Sequence, residues 1–466
     1  MGFGAAFFYL SLKGSYIYDR RGVNKMAKKT RLVKNQQVKL LDGRTVTAIA
    51  KLGEGGQGSV YKVKVDGTNE EKALKWYFPE AFKEPKDSYN DLKDKIQRGA
   101  PSPAFIWPEV ATEWVSGSFG FIMDIYPEEY LEFTKYVLVK VKFANNGAMV
   151  DAALNLVSAF KTLFNAGYSF QDLNYTNFVV RPSDGDVLIF DNCNVSEFGK
   201  ATGILGYRRF MAPEIVRGEK TILDRISDRH SLAVNLFYIL MGDHPLEGNK
   251  TNVPVLVNTY EKRFFGKEPL FIFDKDDKAN RPQEGIHINA TRLWPCYPKF
   301  VQEAFMETFS KDSLLFAKGR LLEQAWLHVL VRLKSSTIKC PYCNEEMFLE
   351  CNSETVCQDC KKTIMSAGYF RFKNRRHNIE IAVPIYEGIK LYEYHMNETA
   401  EDYKTEAAVV LAKDGKFGLK NLSRHSWTIS DKEGNSSKKT SGDVVVLGSN
   451  LAIDFGSGCI CEVIRN

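Results

Sequence analysis

The sequence predicts an α+β fold in which a strand-rich lobe precedes a helical one, followed by a small cysteine-rich module and a terminal β-sandwich. Three observations carry that expectation. Apolar and polar residues alternate in short runs from about residue 31 to 140. Apolar residues recur at helical spacing over long stretches from about 150 to 334. Beyond that, two C-x-x-C pairs give way to alternating runs separated by Gly, Asn and Asp turns. A chain of 466 residues is too long for one core and should divide into two to four domains. No internal repeat or low-complexity tract interrupts it.

Residues 1–30 are expected to form a basic, disordered tail. Residues 1–39 hold nine Lys or Arg against the single Asp19, so a net charge of +6 leaves the rest of the chain at −2. The body is therefore not a phosphate-coating surface. The apolar stretch "GFGAAFFYLSL" is too short to span a bilayer and lacks a preceding basic region, so neither a membrane nor an export segment is expected. A working start at Met26, with residues 1–25 as upstream readthrough, stays open beside the disordered tail.

In the first lobe "TVTAIAKL", "SVYKVKV" and "FGFIMDIY" alternate as strands of a small antiparallel sheet. "LGEGGQGSV" contains Gly53-x-Gly55-x-x-Gly58, and the strand that follows makes it a β-hairpin lid; a dinucleotide-binding turn would open a helix there. Glycines let backbone N–H groups approach a nucleotide's phosphates. Lys75 lies on the next strand, two residues after small Ala73. A lone lysine at a strand end is ordinarily a solvated edge residue, but its spacing behind this hairpin argues for a phosphate contact.

In the second lobe "VDAALNLVSAFKTLFNAG", "DRHSLAVNLFYILMG" and "KGRLLEQAWLHVLVRL" read as helices. Between them come Asp172 and Asn177 in "FQDLNYTNF", Asp191 after "DVLIF", "FMAPE" at 210–214, and Asp228 ahead of an apolar helix. Taken singly, each is an ordinary turn or cap. In this order and at these spacings they resemble the protein-kinase family across roughly residues 40–334, within a kinase domain expected at 31–334.

The resemblance implies a bilobal protein-kinase fold with a β-rich N-lobe and a helical C-lobe. It implies ATP as phosphate donor, with Leu52, Gly53, Gly55, Gly58, Val60, Ala73, Met123, Asp124 and Tyr126 around the nucleotide. Lys75 would hold its α- and β-phosphates, Asp172 would accept the substrate hydroxyl's proton, and Asn177 and Asp191 would chelate Mg²⁺. Hard oxygen donors suit that ion, and positioning supplies most of phosphoryl transfer. The chain departs from the family pattern in the HRD motif, which reads Phe170-Gln171-Asp172, and in DFG, which reads Asp191-Asn192-Cys193. Asn174 stands for the usual lysine and Tyr207 for the usual threonine, and only Asp91 or Asp94 is offered as the helix-C acid. Ser196 and Thr202 are the phosphorylatable positions of the activation segment. The short helix followed by "GAPSPAFIWP" is similar to a divergent bacterial group of serine/threonine kinases.

Cys340, Cys343, Cys357 and Cys360, spaced C-x₂-C-x₁₃-C-x₂-C, predict a closed structural Zn²⁺ site in a zinc ribbon at 335–367. Thiolate ligands and nine cysteines in all point to a reducing compartment, hence the cytoplasm. Cys193, Cys296 and Cys351 read as bystanders, and Cys459 and Cys461 as packing residues. Residues 368–466 read as a β-sandwich in which "SRHSW" and "LGSNLAIDFGSG" are similar to the forkhead-associated fold, with Ser423 and Arg424 as a weak phosphate-site reading beside that of a plain packing module.

The sequence thus points to a serine/threonine protein kinase whose C-terminal modules recruit a protein substrate or signalling partner, with a cognate phosphatase as a further partner. Two alternatives stand: a nucleotide-binding pseudokinase scaffold, and a zinc-ribbon nucleic-acid-binding adaptor. The ribbon is neither basic nor rich in aromatics, which argues against the latter.

Overall fold

A computed structural model describes residues 31–192, 195–200, 206–374, 379–397, 399 and 401–466. The readings of residues 1–30, Cys193 and Thr202 fall outside the described residues. The chain forms two compact units. The first comprises the residues up to Thr134 with Ala159–Val180 and Val187–Ser231; the second comprises Lys135–Ser158, Arg181–Asp186 and Leu232–Asn466.

In the first unit β1 (Gln37–Lys39), β2 (Thr45–Glu54), β3 (Gly58–Val65), β4 (Glu71–Tyr77), β5 (Val110–Ala111) and β6 (Gly120–Met123) form one antiparallel sheet, ordered β1-β2-β3-β4-β6-β5. The three alternating runs read from the sequence are β2, β3 and β6. Strand pleating splits β4 between two cores. Leu74 and Trp76 join Val46, Val63 and Ile122 on one face, whereas Tyr77 packs with Phe119, Phe121 and Leu92 on the other. Leu92 belongs to helix α1 (Pro85–Arg98), which begins on a proline and ends at Gly99 with φ 76°.

The elements that follow are β7 (Leu131–Glu132), α2 (Phe133–Val137), α3 (Asn146–Asn165), β8 (Tyr168–Phe170), β9 (Phe178–Val180), β10 (Val187–Ile189), β11 (Val195–Glu197), α4 (Pro213–Arg217) and α5 (Arg225–Met241). Short strands pair as β10-β9-β7 and β11-β8, which pins the loops between them. Helix α3 is apolar and long enough to cross a membrane, yet most of it is buried inside the fold, as suits a core helix.

Helices α6 (Asn258–Lys262), α7 (Ile288–Leu293), α8 (Lys299–Thr308), α9 (Lys311–Phe316) and α10 (Glu323–Lys334) lie in the second unit. Hairpins β12 (Thr337–Lys339)/β13 (Glu346–Phe348) and β14 (Thr355–Val356)/β15 (Thr363–Ile364) carry the four cysteines. The terminal region comprises β16 (Gly368–Asn374), β17 (Ile379–Pro384), β18 (Lys390–Tyr392), α11 (Glu393–Met396), β19 (Glu406–Lys413), β20 (Lys416–Asn421), β21 (Trp427–Ser430), β22 (Ser436–Lys439), β23 (Val444–Val446), β24 (Leu451–Asp454) and β25 (Ile460–Arg465). They make two antiparallel sheets, β17-β16-β25-β24-β21-β22 and β18-β19-β20-β23. Cys459 and Cys461 are buried, Cys461 opposite Phe372 in register.

This terminal β-region is built onto the helices of its unit. The Lys334 ammonium, at the end of α10, lies 2.6 Å from the Asp151 carboxylate of α3, donates to Tyr403 O at 3.1 Å and covers the Tyr392 ring. The Tyr394 hydroxyl meets His328 Nδ1 at 2.6 Å, and Tyr403 donates to Asn155 Oδ1 at 3.3 Å. Burial raises the Asp151 carboxyl in spite of Lys334, so this ion pair is a desolvated one.

Candidate active site

The β2–β3 hairpin is closed by Gly55 N–H donating to Gly58 O at 2.9 Å. Its glycines serve different ends. A Cβ on Gly58 would lie 2.2 Å from Trp76 O, so the pairing with β4 requires that glycine. Gly53 and Gly55 have open space where a Cβ would be, leaving their backbone approachable. Glu54, between them, is held by Arg31, Lys51 and Ser59, and the Arg31 contact above all draws its carboxyl down to about 2. Nothing in the glycine spacing signals that clamp. Leu52 is exposed, whereas Val60 pairs with Lys75 and Ala73 with Met123 across the sheet, which places these four on one face.

On that face the Lys75 ammonium lies 3.2 Å from the Asp191 carboxylate. Asp191 has φ 62°, a left-handed conformation that costs a residue with a side chain about 1–2 kcal/mol. Its neighbours hold it there. Phe190 N–H donates to Asn177 O at 2.9 Å, and the Phe190 ring stacks on Tyr126 at 6.1 Å. Asn192 sits where the family places a phenylalanine; it is buried, and its amide donates to Ile106 O at 2.5 Å. A polar anchor thus replaces an apolar plug. Asp91 and Asp94 line a cleft with Arg98, Tyr168, Ser196 and Lys200.

Asp172 follows β8, whose end is fixed by Phe170 N–H donating at 2.7 Å to the fully buried Asp228. That explains the aspartate heading the apolar helix α5. Asp172 Oδ1 accepts from Tyr207 N–H at 2.9 Å and from the Asn174 amide at 3.2 Å. A backbone donor and a neutral amide therefore occupy the places of the threonine and lysine. Burial, with the Asp191 charge adding to it, raises the Asp172 carboxyl to about 7 against the pull of those two donors. Asn177 caps the turn: its Oδ1 accepts Asn174 N–H at 3.2 Å and its own N–H reaches Asn174 O at 3.0 Å. Asn177 and Asp191 carry amide and carboxylate oxygens of the hard type that could serve as ligands to a magnesium ion.

Gln171 is buried, and its amide donates to Lys200 O at 2.7 Å and to Ser196 Oγ. Ser196 is only 7% exposed and its hydroxyl donates to Lys200 O at 3.1 Å. The Ser196 hydroxyl is thus engaged by Gln171 and the Lys200 carbonyl, although the residue lines the cleft beside α1. Glu197 is ion-paired to Arg98 of α1 and to Lys200. The start of the activation segment is thus tied to both the catalytic loop and α1.

The cysteine module forms its own centre. Sγ atoms of Cys340, Cys343, Cys357 and Cys360 all lie within 4.8 Å of one another, with Cys340–Cys360 and Cys343–Cys357 at 3.6 Å. Ligands about 2.3 Å from a tetrahedral zinc stand about 3.8 Å apart, so four thiolates in this arrangement fit that ion. Each knuckle turns through a left-handed residue, Asn344 at φ 66° and Lys361 at φ 59°. Cys351 stands apart, beside Arg332, where burial pushes its thiol up to about 11. Ser423, by contrast, is no phosphate site. It is buried, donates to Asn421 Oδ1 at 2.8 Å and accepts from Trp427 Nε1 at 3.2 Å, so a corner of the sheet consumes its hydroxyl.

A family model described as the protein kinase domain matches residues 46–284, just over half of the chain. No curated protein matches it. The matched range contains the glycine hairpin, Lys75, Asp172, Asn177 and Asp191, and the chain belongs to the protein kinase family.

Proposed function

We propose that the chain is an ATP- and Mg²⁺-dependent serine/threonine protein kinase of the cytoplasm that phosphorylates a protein partner. One observation carries the reading: the Lys75 ammonium and the Asp191 carboxylate stand together at 3.2 Å, with Asp172 close enough for the Asp191 charge to raise it. Lys75 would steady the phosphates, Asn177 and Asp191 would hold magnesium, which when bound would supply positive charge to the phosphates, and Asp172 would orient the acceptor hydroxyl and take its proton. The carboxyl near 7 makes Asp172 a competent base at neutral pH. The zinc ribbon and β-region recruit the substrate or a signalling partner, with a phosphatase as the opposing activity.

The test is transfer of labelled phosphate from ATP·Mg²⁺ by the full chain to proteins of a cell extract, followed by identification of the phosphorylated amino acid. Asp172→Ala should lower the rate by roughly 10² or more. Nucleotide binding with equal transfer by wild type and Asp172→Ala would favour the scaffold reading, which the Gln171 and Asn192 departures motivate. Salt-dependent retention on DNA would favour the adaptor.

A further inference from the structure

Lys72 lies on β4 three residues before Lys75, so pleating directs it to the opposite face of the sheet. It is only 8% exposed, and lysine is almost never so buried unless it is paired. Three carboxylates surround its ammonium: Asp124 at 2.7 Å, Glu109 at 2.8 Å and Glu70 at 3.2 Å. They come from three places in the chain. Glu70 precedes β4, Glu109 precedes β5 and donates its N–H to Ile122 O at 2.9 Å, and Asp124 is the first residue beyond β6.

The position of Asp124 gives the cluster its significance. The β4–β6 ladder ends at Ala73 opposite Met123, so Asp124 is the first residue with no ladder partner in that register. The following segment, residues 124–126, is the stretch that would face adenine. Its far end is held by the stack of Tyr126 on Phe190. At its near end, the described tie to the sheet is the Lys72–Asp124 contact. Without the ammonium, Glu109 and Asp124 would stand as like charges and drive the segment outward.

We propose that Lys72 is a positioning residue for nucleotide recognition, holding Asp124 against Glu109 so that the backbone of residues 124–126 is preset for the adenine of ATP. This rests on the kinase reading, but concerns binding and not the chemical step. A preset hinge avoids an ordering cost on binding; disturbing it weakens ATP while leaving transfer from bound ATP intact.

The experiment measures the ATP dissociation constant of the full chain by calorimetry, together with KM for ATP and kcat, for wild type, Lys72→Met, Asp124→Asn and Glu70→Gln. Lys72→Met and Asp124→Asn should each raise the dissociation constant and KM by about tenfold, the scale of one charged hydrogen bond, with kcat within about twofold. The double variant should be no weaker than the worse single one, because both act through one contact. Glu70→Gln, which removes only the longest of the three contacts at 3.2 Å and does not touch residues 124–126, should match wild type. Asp124→Asn alters an exposed side chain and remains informative if Lys72→Met does not fold. Unchanged ATP affinity in Asp124→Asn, or a fall in kcat at constant KM, would overturn the proposal even where thermal stability drops. Failure of the wild type to bind ATP would overturn the kinase reading along with it, and that outcome is distinct because it appears before any substitution.

Discussion

Replacing Asn174 with lysine should move the acid limb of phosphoryl transfer to lower pH. In the structure the Asn174 amide lies 3.2 Å from Asp172 Oδ1 and brings no charge, while burial and Asp191 lift the Asp172 carboxyl to about 7. The base is then half protonated near neutrality, and kcat/KM, which reports the free enzyme, should fall tenfold per pH unit below about 7. An ammonium about 4 Å from the carboxylate attracts it by about 4 kcal/mol at an effective dielectric of 20. At about 1.4 kcal/mol per pH unit, that is an upper bound near three units. A partly solvated site yields roughly one to three. The limb of Asn174→Lys should therefore sit at roughly pH 4–6, measured as initial-rate transfer to a protein acceptor across about pH 5–9. Coincident limbs for the two proteins, or a wild-type rate flat through neutrality, would refute the reasoning. The same carboxyl makes a stability prediction. Its folded-state value lies above the ordinary 3.8, so its favourable contribution is complete below about pH 4 and lost as the pH rises through about 7. Asp172→Asn should accordingly melt above wild type at about pH 8 and level with it near pH 4, with a difference of at most about 4 kcal/mol.

Other consequences can be measured directly. Purified protein should carry one zinc per chain, and Cys357→Ser should lose it and unfold the ribbon locally while nucleotide binding survives, since thiolate-bound zinc contributes on the order of 10 kcal/mol to such a module. Lys334→Met leaves Asp151 buried without its cation and should destabilise the second unit by about 3–5 kcal/mol in chemical denaturation; a loss under about 1 kcal/mol would mean that the pair is solvated. Ser196→Ala should keep most activity, whereas Ser196→Asp, which puts a charge against the Lys200 carbonyl, should be strongly impaired; a fully active Ser196→Asp would contradict the burial of that hydroxyl. Asp191→Ala should abolish transfer by removing the carboxylate proposed to hold magnesium, as read in the labelled-ATP assay.

Much of the site could be read from the chain because the chemistry restricts residue types at fixed spacings. Lys75, Asp172, Asn177 and Asp191 could be named as candidates through the resemblance that their order and spacing carry. The supports of those residues could not. Tyr207 reaches Asp172 through its backbone N–H, which every residue but proline possesses, so the side chain at 207 carries no signal of the contact. Gln171 and Ser196 are ordinary polar letters until folding places them on one carbonyl. Gly58 reads in the sequence as part of a phosphate cradle, and only folding shows that Trp76 O also demands its lack of a side chain.

By itself, then, the sequence determined the alternation of β2, β3 and β6, the periodic helices α3, α5 and α10, the four-thiolate spacing and the candidates for the reactive groups. Each depends on residues near one another along the chain or on elements whose order is their signature. Only the tertiary structure decided which charges meet. Lys75 finds Asp191 across 116 positions, Lys72 gathers acids from both sides of a helix, and Lys334 joins α3 to the terminal β-region through Asp151 and Tyr403. Pairing at such separations leaves no local pattern. Whether a lysine is a solvated edge or a buried clamp is settled by the desolvation and the partners that the packed chain imposes on it.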